Sequence, residues 1–251
     1  MKARRKYYLV PVSLVELVFR ERLYREFQIW ITLKARTNGH LKITPDVVRS
    51  LAKELKVSER TVSRSLEKLR QRNWIGYNPK SGLSFIRGFK AVQINEGLSG
   101  RMGVWFDIDK KKESRGFIAG GIISKLVREQ RKKVWQERTG AQAKGGAKQP
   151  ARLPAFYPVS CSSLEQIYNV STKVAWNAKN NAVKGNFIEL KHVNEKLPID
   201  HYKNYLEGFP EHKGSVFKVK GHWCLRRPDL VKTNLSFKRR ERERYNRKKG
   251  Q

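Results

Sequence analysis

Apolar residues recur along this chain in short helical stripes, each closed by turn signals and succeeded by short alternating runs. Residues 7–12 form a brief β-prone stretch. Over residues 14–37, Leu14, Val15, Val18, Leu23, Phe27, Trp30, Ile31 and Leu33 fall mostly on one stripe. That pattern predicts one long helix or two short ones, stopped at Asn38-Gly39. Thr44 then offers a capping oxygen to a helix opened by Pro45, whose fixed φ suits the first helical position. Val47, Val48, Leu51 and Leu55 are its inward stripe. After a tight turn at Lys56-Val57, Ser58 caps a second helix with Val62, Leu66 and Leu69 facing inward. Arg60, Thr61, Arg64 and Lys68 are left on the opposite face. Residues 74–77, 78–82 and 83–87 read as strand, turn and strand, with Lys80 at the tip and Arg87 at the far end.

The pattern repeats. A shift of 113 residues lays 45–75 on 158–188 without gaps, with seven identities in 31 positions. Pro45, Ser50, Leu51, Val57, Ser58, Asn73 and Ile75 meet Pro158, Ser163, Leu164, Val170, Ser171, Asn186 and Ile188. They fall at the expected helix start, turn, cap and strand entry, where a fold constrains choice most. The second repeat predicts a leading helix over 117–138, weakened at its start by Gly120-Gly121. A second capped helix is expected over 171–183. Its inward positions are Ala175, Ala178 and Ala182, and its outward face carries Ser171, Lys173, Asn177, Asn180 and Asn181. Lys179 falls where the first repeat has buried Leu66, which leaves the register open by one position. Trp176 reads as core or as a thymine-methyl or sugar contact, with core the favoured reading. The closing strands are expected at 186–193 and 216–226, with 194–215 inserted between them.

The run SERTVSRSLEKLRQRNWI resembles the second helix and wing entry of bacterial winged helix-turn-helix regulators, over roughly residues 20–95. The expected fold is therefore α+β, mainly helical: two tandem winged helix-turn-helix domains with β-hairpin wings and a basic disordered tail. Domain 1 is expected over 1–100, and a strand and long helix leading into domain 2 over 101–137. A basic flexible linker or loop comes next over 138–155, then domain 2 with its enlarged wing over 156–235, and the tail over 236–251. In the second helix of each module, the first residues would reach base edges in a major groove. Arg60 and Arg64 suit bidentate bonding to guanine, and asparagines suit adenine, so the two modules would read different bases. Half-sites would lie about one helical turn apart, roughly 34 Å. Two modules and a linker in a chain of this length also resemble, in architecture, plasmid replication initiators of the tandem winged-helix type. That likeness implies binding to repeated origin sites, sometimes with autorepression.

Composition sharpens the partner. Lys and Arg number 55 against 22 Asp and Glu, a formal net charge of +33. Six Trp, nine Tyr and eleven Phe are enough for real cores, so folded cores are expected rather than a wholly disordered basic chain. Such a charge repels itself unless a polyanion is near, which points to nucleic acid first and an anionic membrane surface a distant second; with the winged-helix resemblance, the expected partner is double-stranded DNA and no membrane. The tail carries eight basic and two acidic residues, with Arg239 and Arg240 expected on DNA phosphates. No run reaches the roughly 18 apolar residues of a membrane span. The basic start at Lys2, Arg4, Arg5 and Lys6 is not a signal peptide, because Pro11, Glu16 and Arg20 interrupt the apolar stretch beside it.

Catalytic signals are weak. His40, His192, His201, His212 and His222 are scattered, without metal-ligand spacing, and no phosphate-binding loop motif is present. Asp107 and Asp109 alternate in VWFDID as the polar positions of a strand. His201 with Tyr202 and Tyr205 lacks the ligands a tyrosine nucleophile needs. Cys161 and Cys224 fit a reducing compartment and small buried positions. The expectation is a non-enzyme with no catalytic residue, metal or cofactor, cytoplasmic and nucleoid-associated in a bacterium. Its role would be replication initiator or transcriptional regulator of a plasmid, phage or mobile element. A second copy, or the replication or transcription machinery, would be its further partners. Two alternatives stand beside it: a sequence-tolerant coating or architectural protein, and the DNA-binding subunit of a recombination or nuclease complex.

Overall fold

Caps, stripes and turn residues resolve into short helices and small antiparallel sheets. The computed structural model describes residues 7–37, 39–145, 153–198, 202–210 and 214–239, and the protein is α+β. Its first elements are β1 (Tyr7–Pro11), α1 (Val12–Arg20), α2 (Tyr24–Arg36), β2 (His40–Leu41), α3 (Pro45–Leu55) and α4 (Glu59–Gln71). Then come β3 (Ile75–Asn78), β4 (Leu83–Ile86), α5 (Phe89–Asn95), β5 (Met102–Asp107), a 3-10 turn and the long α6 (Ser114–Gly145). The remainder comprises β6 (Tyr157–Pro158), α7 (Cys161–Tyr168), α8 (Thr172–Lys184), β7 (Ile188–Lys191), β8 (Asn194–Lys196), α9 (Tyr202–Gly208), β9 (Val216–Val219), β10 (His222–Arg226), β11 (Leu230–Thr233) and β12 (Phe237–Arg239).

The chain divides into two compact units, residues 1–122 with 235–251, and residues 123–234. In the first, α1 and α2 are separate helices, broken at Arg22, whose φ is 59°. Their buried faces and α4, α5 and the start of α6 enclose an aromatic core. The Trp30 ring meets those of Trp74 and Phe89 edge-on, each at 5.1 Å between centroids, and Phe106 lies 4.3 Å from Phe117. Each such pair contributes about 0.5–1.5 kcal/mol beyond the area it buries. One sheet has the order β2-β4-β3, the other β1-β5-β12.

That second sheet corrects the expected boundaries. β5 pairs in register with β1, Val10 opposite Val104, so it belongs to the first unit rather than leading into the second. β12 pairs on its other edge, Phe237 opposite Val104, so residues 237–239 of the expected disordered tail are a strand. Its composition hid this, because strand addition uses backbone N–H and C=O groups that no side-chain pattern announces. α6 runs through Gly145, into the expected linker at 138–155. Gly121 does not merely weaken that helix: a Cβ there would lie 3.0 Å from Val15 Cγ1, so α1 and α6 approach over it.

In the second unit the sheet β6-β11-β7 mirrors the order β2-β4-β3. The partner of β7 is thus β11, Thr233 opposite Ile188, and not the expected strand at 216–226. Residues 216–226 do form strands, but β9 and β10 join β8 in a separate sheet of order β8-β10-β9. Leu83 corresponds to Leu230, a shift of 147 rather than 113, so 34 residues are inserted between the matched strands. Pro158 lies in β6 rather than opening a helix, and Ser160 caps α7 instead, accepting from Ser163 N.

Candidate nucleic-acid interface

The two outward helix faces are set by matching local chemistry. In the first unit, Thr44 accepts from Val47 N at the start of α3. Lys56 ends α3 in the left-handed region, φ 54°, and turns the chain through Val57. Ser58 Oγ then accepts from Thr61 N at 3.2 Å and satisfies an orphan donor of α4. In the second unit Asn169, φ 50°, stands where Lys56 does, and α8 spans the residues 113 beyond α4 at both ends. Ser171 has the extended backbone of a cap but its side chain accepts no cap bond. Each helix ends at a left-handed asparagine, Asn73 at φ 57° and Asn186 at φ 55°. Asparagine tolerates that conformation better than most side chains.

These asparagines also fasten helix to sheet. Arg87 donates to Asn73 Oδ1 through Nε at 3.1 Å and a terminal nitrogen at 2.7 Å. Asn234, at the same topological point, donates to Asn186 Oδ1 at 3.1 Å. Arg87, expected as a DNA contact, is half-buried and bonds Asn73 through two of its nitrogens. The end of α4 is braced further. Arg72 makes a bidentate pair with Glu96 (2.8 and 2.5 Å) and bonds Glu21 at 2.5 Å, while Trp74 Nε1 donates to Glu96 at 2.5 Å. The hydrogen bonds from Arg72 to Glu96 raise its pKa above the ordinary arginine value, despite burial, with Glu21 adding to the effect.

Buried positions match across the repeat. Val62, Leu66 and Leu69 in α4, and Ala175, Ala178 and Ala182 in α8, are all buried. Lys179 resolves the register question. It is 2% exposed, in the position of Leu66, so α8 has the register of α4 and carries a lysine in its core. Its Nζ bonds Asp229 Oδ2 at 2.8 Å and also donates to the carbonyl of Val159. His192 Nδ1 lies 2.8 Å from the other Asp229 oxygen, and Arg226 approaches at 4.0 Å. Burial alone would raise the Asp229 pKa. The bonds from Lys179 and His192 outweigh it and hold the carboxyl below the usual carboxylate range. Asp229, the key partner, lies beyond the inserted sheet and carried no signal in the sequence. Lys179 did, as the one charge at a core position.

The outward faces differ in chemistry. Arg60 and Arg64 are exposed and make no hydrogen bond or ion pair with any described residue. Thr61 shares a 2.8 Å hydroxyl contact with Ser58, and Lys68 leans 3.7 Å from the buried carboxylate of Glu26. On α8, Lys173 and Asn177 are exposed, and Asn180 and Asn181 are half-buried beside them. No carboxylate occurs anywhere in α8. Trp176, expected in the core, is 53% exposed on this face, where the first repeat has Ser63. Its hydrophobicity suggested burial, but the register set by Ala175 and Ala178 turns it outward. Lys80 is exposed at the β3–β4 turn, and Arg239 is exposed on β12; Arg240 lies outside the described residues.

Among the described residues no group of three metal-ligating side chains exists, and no helix is long and apolar enough to cross a membrane. Cys224 is buried and Cys161 half-buried, and burial raises the Cys161 thiol above its ordinary value. Tyr202 stacks on Trp223 at 4.7 Å in the inserted region; His201 and His212 lie outside the described residues. No protein-family model, curated protein or solved structure matches the chain.

Proposed function

We propose that this protein is a sequence-specific reader of double-stranded DNA, built from two winged helix-turn-helix modules in one chain. α4 and α8 act as recognition helices, and the sheets β2-β4-β3 and β6-β11-β7 supply the wings. The observation that carries the reading is the repeated helix–turn–helix, followed in each unit by a three-stranded sheet of matching order, with two outward faces of different chemistry, one offering unpaired arginines and the other asparagines and a tryptophan. Unpaired guanidinium groups suit guanine, and carboxamides suit adenine. The formal charge of +33 supplies the phosphate attraction that such a reader needs. The protein would serve a bacterial plasmid, phage or mobile element as replication initiator or transcriptional regulator, on the nucleoid and without catalysis.

Selection from random duplex DNA tests this. A bipartite site should be enriched and preferred over scrambled duplex by at least ~10³. Absence of enrichment with a steep salt slope would replace the reader with a sequence-tolerant coating protein. That second reading is favoured by exposed cations far from α4 and α8 in sequence, such as Lys132 and Lys133 on α6.

A further inference from the structure

We propose that the first unit binds a phosphate-type oxyanion in a cleft formed by the start of α2, the turn between α3 and α4, and the start of α6. The cleft has a volume of ≈ 320 Å³, within the range of small-ligand sites. Arg25, Lys56, Lys112 and Arg115 line it together with Tyr24 and Ser114, and no carboxylate does. Charge alone would not single it out in a chain with 55 basic and 22 acidic residues. Three further features do.

The first is where the neighbouring acids go. Glu54 is held by Arg36 and by Lys111 at 2.5 Å, and Glu26 by Ser65 at 3.2 Å and Lys68. Both carboxylates are thus shared with groups that do not line the cleft. Lys56, Lys112 and Arg115 make no ion pair with any described residue.

The second is Ser114. It is 2% exposed and lines the cleft, yet its hydroxyl has no hydrogen-bond partner among the described residues. Ser114 also begins α6, directly after the 3-10 turn, with its backbone N–H bonded to the Lys111 carbonyl, so its hydroxyl is the donor left at this point of the cleft.

The third is preorganisation. Gln28 donates to the Lys111 carbonyl at 3.0 Å and accepts from Arg25 at 2.6 Å, which fixes that guanidinium at the rim. The Arg115 guanidinium sits 5.7 Å from the Tyr24 ring. Burial, and then Arg115, push the Arg25 pKa down, and the nearby Glu26 only partly opposes them. Burial raises the Tyr24 phenol to about 12 despite Arg115 and Arg22, so its hydroxyl stays a donor at neutral pH.

The ligand chemistry is a phosphate group with several acceptor oxygens. It has two sources, a free phosphorylated molecule or a phosphate of bound nucleic acid. The free-ligand arm does not depend on the DNA-reading proposal; the nucleic-acid arm requires only that the protein bind DNA, in sequence-specific fashion or not.

The test uses the full chain with pyrophosphate and inorganic phosphate titrated calorimetrically at constant ionic strength, and random-sequence duplex titrated against salt. Arg115→Gln and Lys112→Gln remove cleft charges at exposed positions, and Arg101→Gln, exposed between α5 and β5, removes one charge elsewhere. Saturable pyrophosphate binding, weakened at least tenfold by both cleft variants and not by R101Q, supports a site for a free phosphorylated ligand. No pyrophosphate binding, but a salt slope reduced by about 1 in both cleft variants and not in R101Q, supports a nucleic-acid phosphate as the ligand. The proposal is overturned if pyrophosphate fails to saturate and the slopes are unchanged, or if R101Q matches the cleft variants. Circular dichroism of all three variants should superimpose on the parent, so that a lost signal reports the site and not the fold.

Discussion

Replacing Lys179 with methionine tests the charged core of the second unit. Methionine keeps the length and removes the ammonium, in the position that Leu66 fills in the first repeat. The lysine side chain is 3% exposed and that of Asp229 is 11% exposed, so the pair is largely out of water. Removing one partner of a buried pair costs about 3–5 kcal/mol, mostly through the charge left behind. Here Asp229 keeps His192 at 2.8 Å and Arg226 at 4.0 Å, and methionine gains apolar contact. The expected cost therefore falls below that range, about 2–3 kcal/mol at pH 7. Adding Asp229→Asn should restore at least half, because the stranded charge goes with it. The pH dependence has a fixed sign. The Asp229 pKa is depressed in the fold, so its contribution is present above its unfolded value, about 4, and is lost as pH falls through the folded value. K179M and the parent should then converge as the pH is lowered through that range. Native-state hydrogen exchange in peptides from α8 reads this locally, which matters in a chain of two units. Equal protection in parent and K179M at pH 7, or a deficit that persists undiminished into acid, would refute the reasoning.

Four other outcomes are expected. Arg64→Ala should weaken binding of a selected duplex by about 1–3 kcal/mol and relax preference at one or two base pairs, which a mutated-site panel measures. Trp176→Ala should leave thermal stability within about 0.5 kcal/mol, as for an exposed side chain, while lowering affinity for the selected site in a binding titration. Arg72→Met should cost the first unit about 2–3 kcal/mol in urea unfolding, because Glu96 and Glu21 lose their shared cation. Truncation after Arg239 should flatten the salt slope of DNA binding without loss of stability, whereas truncation after Leu235 should also destabilise the first unit by removing β12.

What the sequence disclosed was local. Caps at Thr44 and Ser58, the turn at Lys56 and the stripe Val62, Leu66, Leu69 act within a few residues of each other, so α3 and α4 were readable with their outward faces. The second repeat was readable through the same positions. What escaped was non-local pairing. Residues 216–226 alternate as strands do, but nothing in them says that β11 rather than β10 is the partner of β7. The lysine at position 179 was visible as an anomaly, but its reason, Asp229, lies 50 residues away. Trp176 was misplaced because its size was weighed above the register. The bond from Arg87 to Asn73 was equally unreadable, because an arginine at a strand end looks the same whether or not it also fastens a helix end.

The pairing of β12 with β5 bears on how the protein is made. The first unit takes its sheet from both sides of the second in sequence, so synthesis cannot finish it before residues 123–234 have emerged. Domains fold as units while the chain grows. The aromatic core around Trp30 and Trp74 can therefore form early, with one edge of β5 still bare. An unpaired strand edge is a template for the wrong partner. During that interval the nascent protein carries an open strand edge that only its own late segment closes, and ribosome pausing between α6 and β11 would lengthen the exposure.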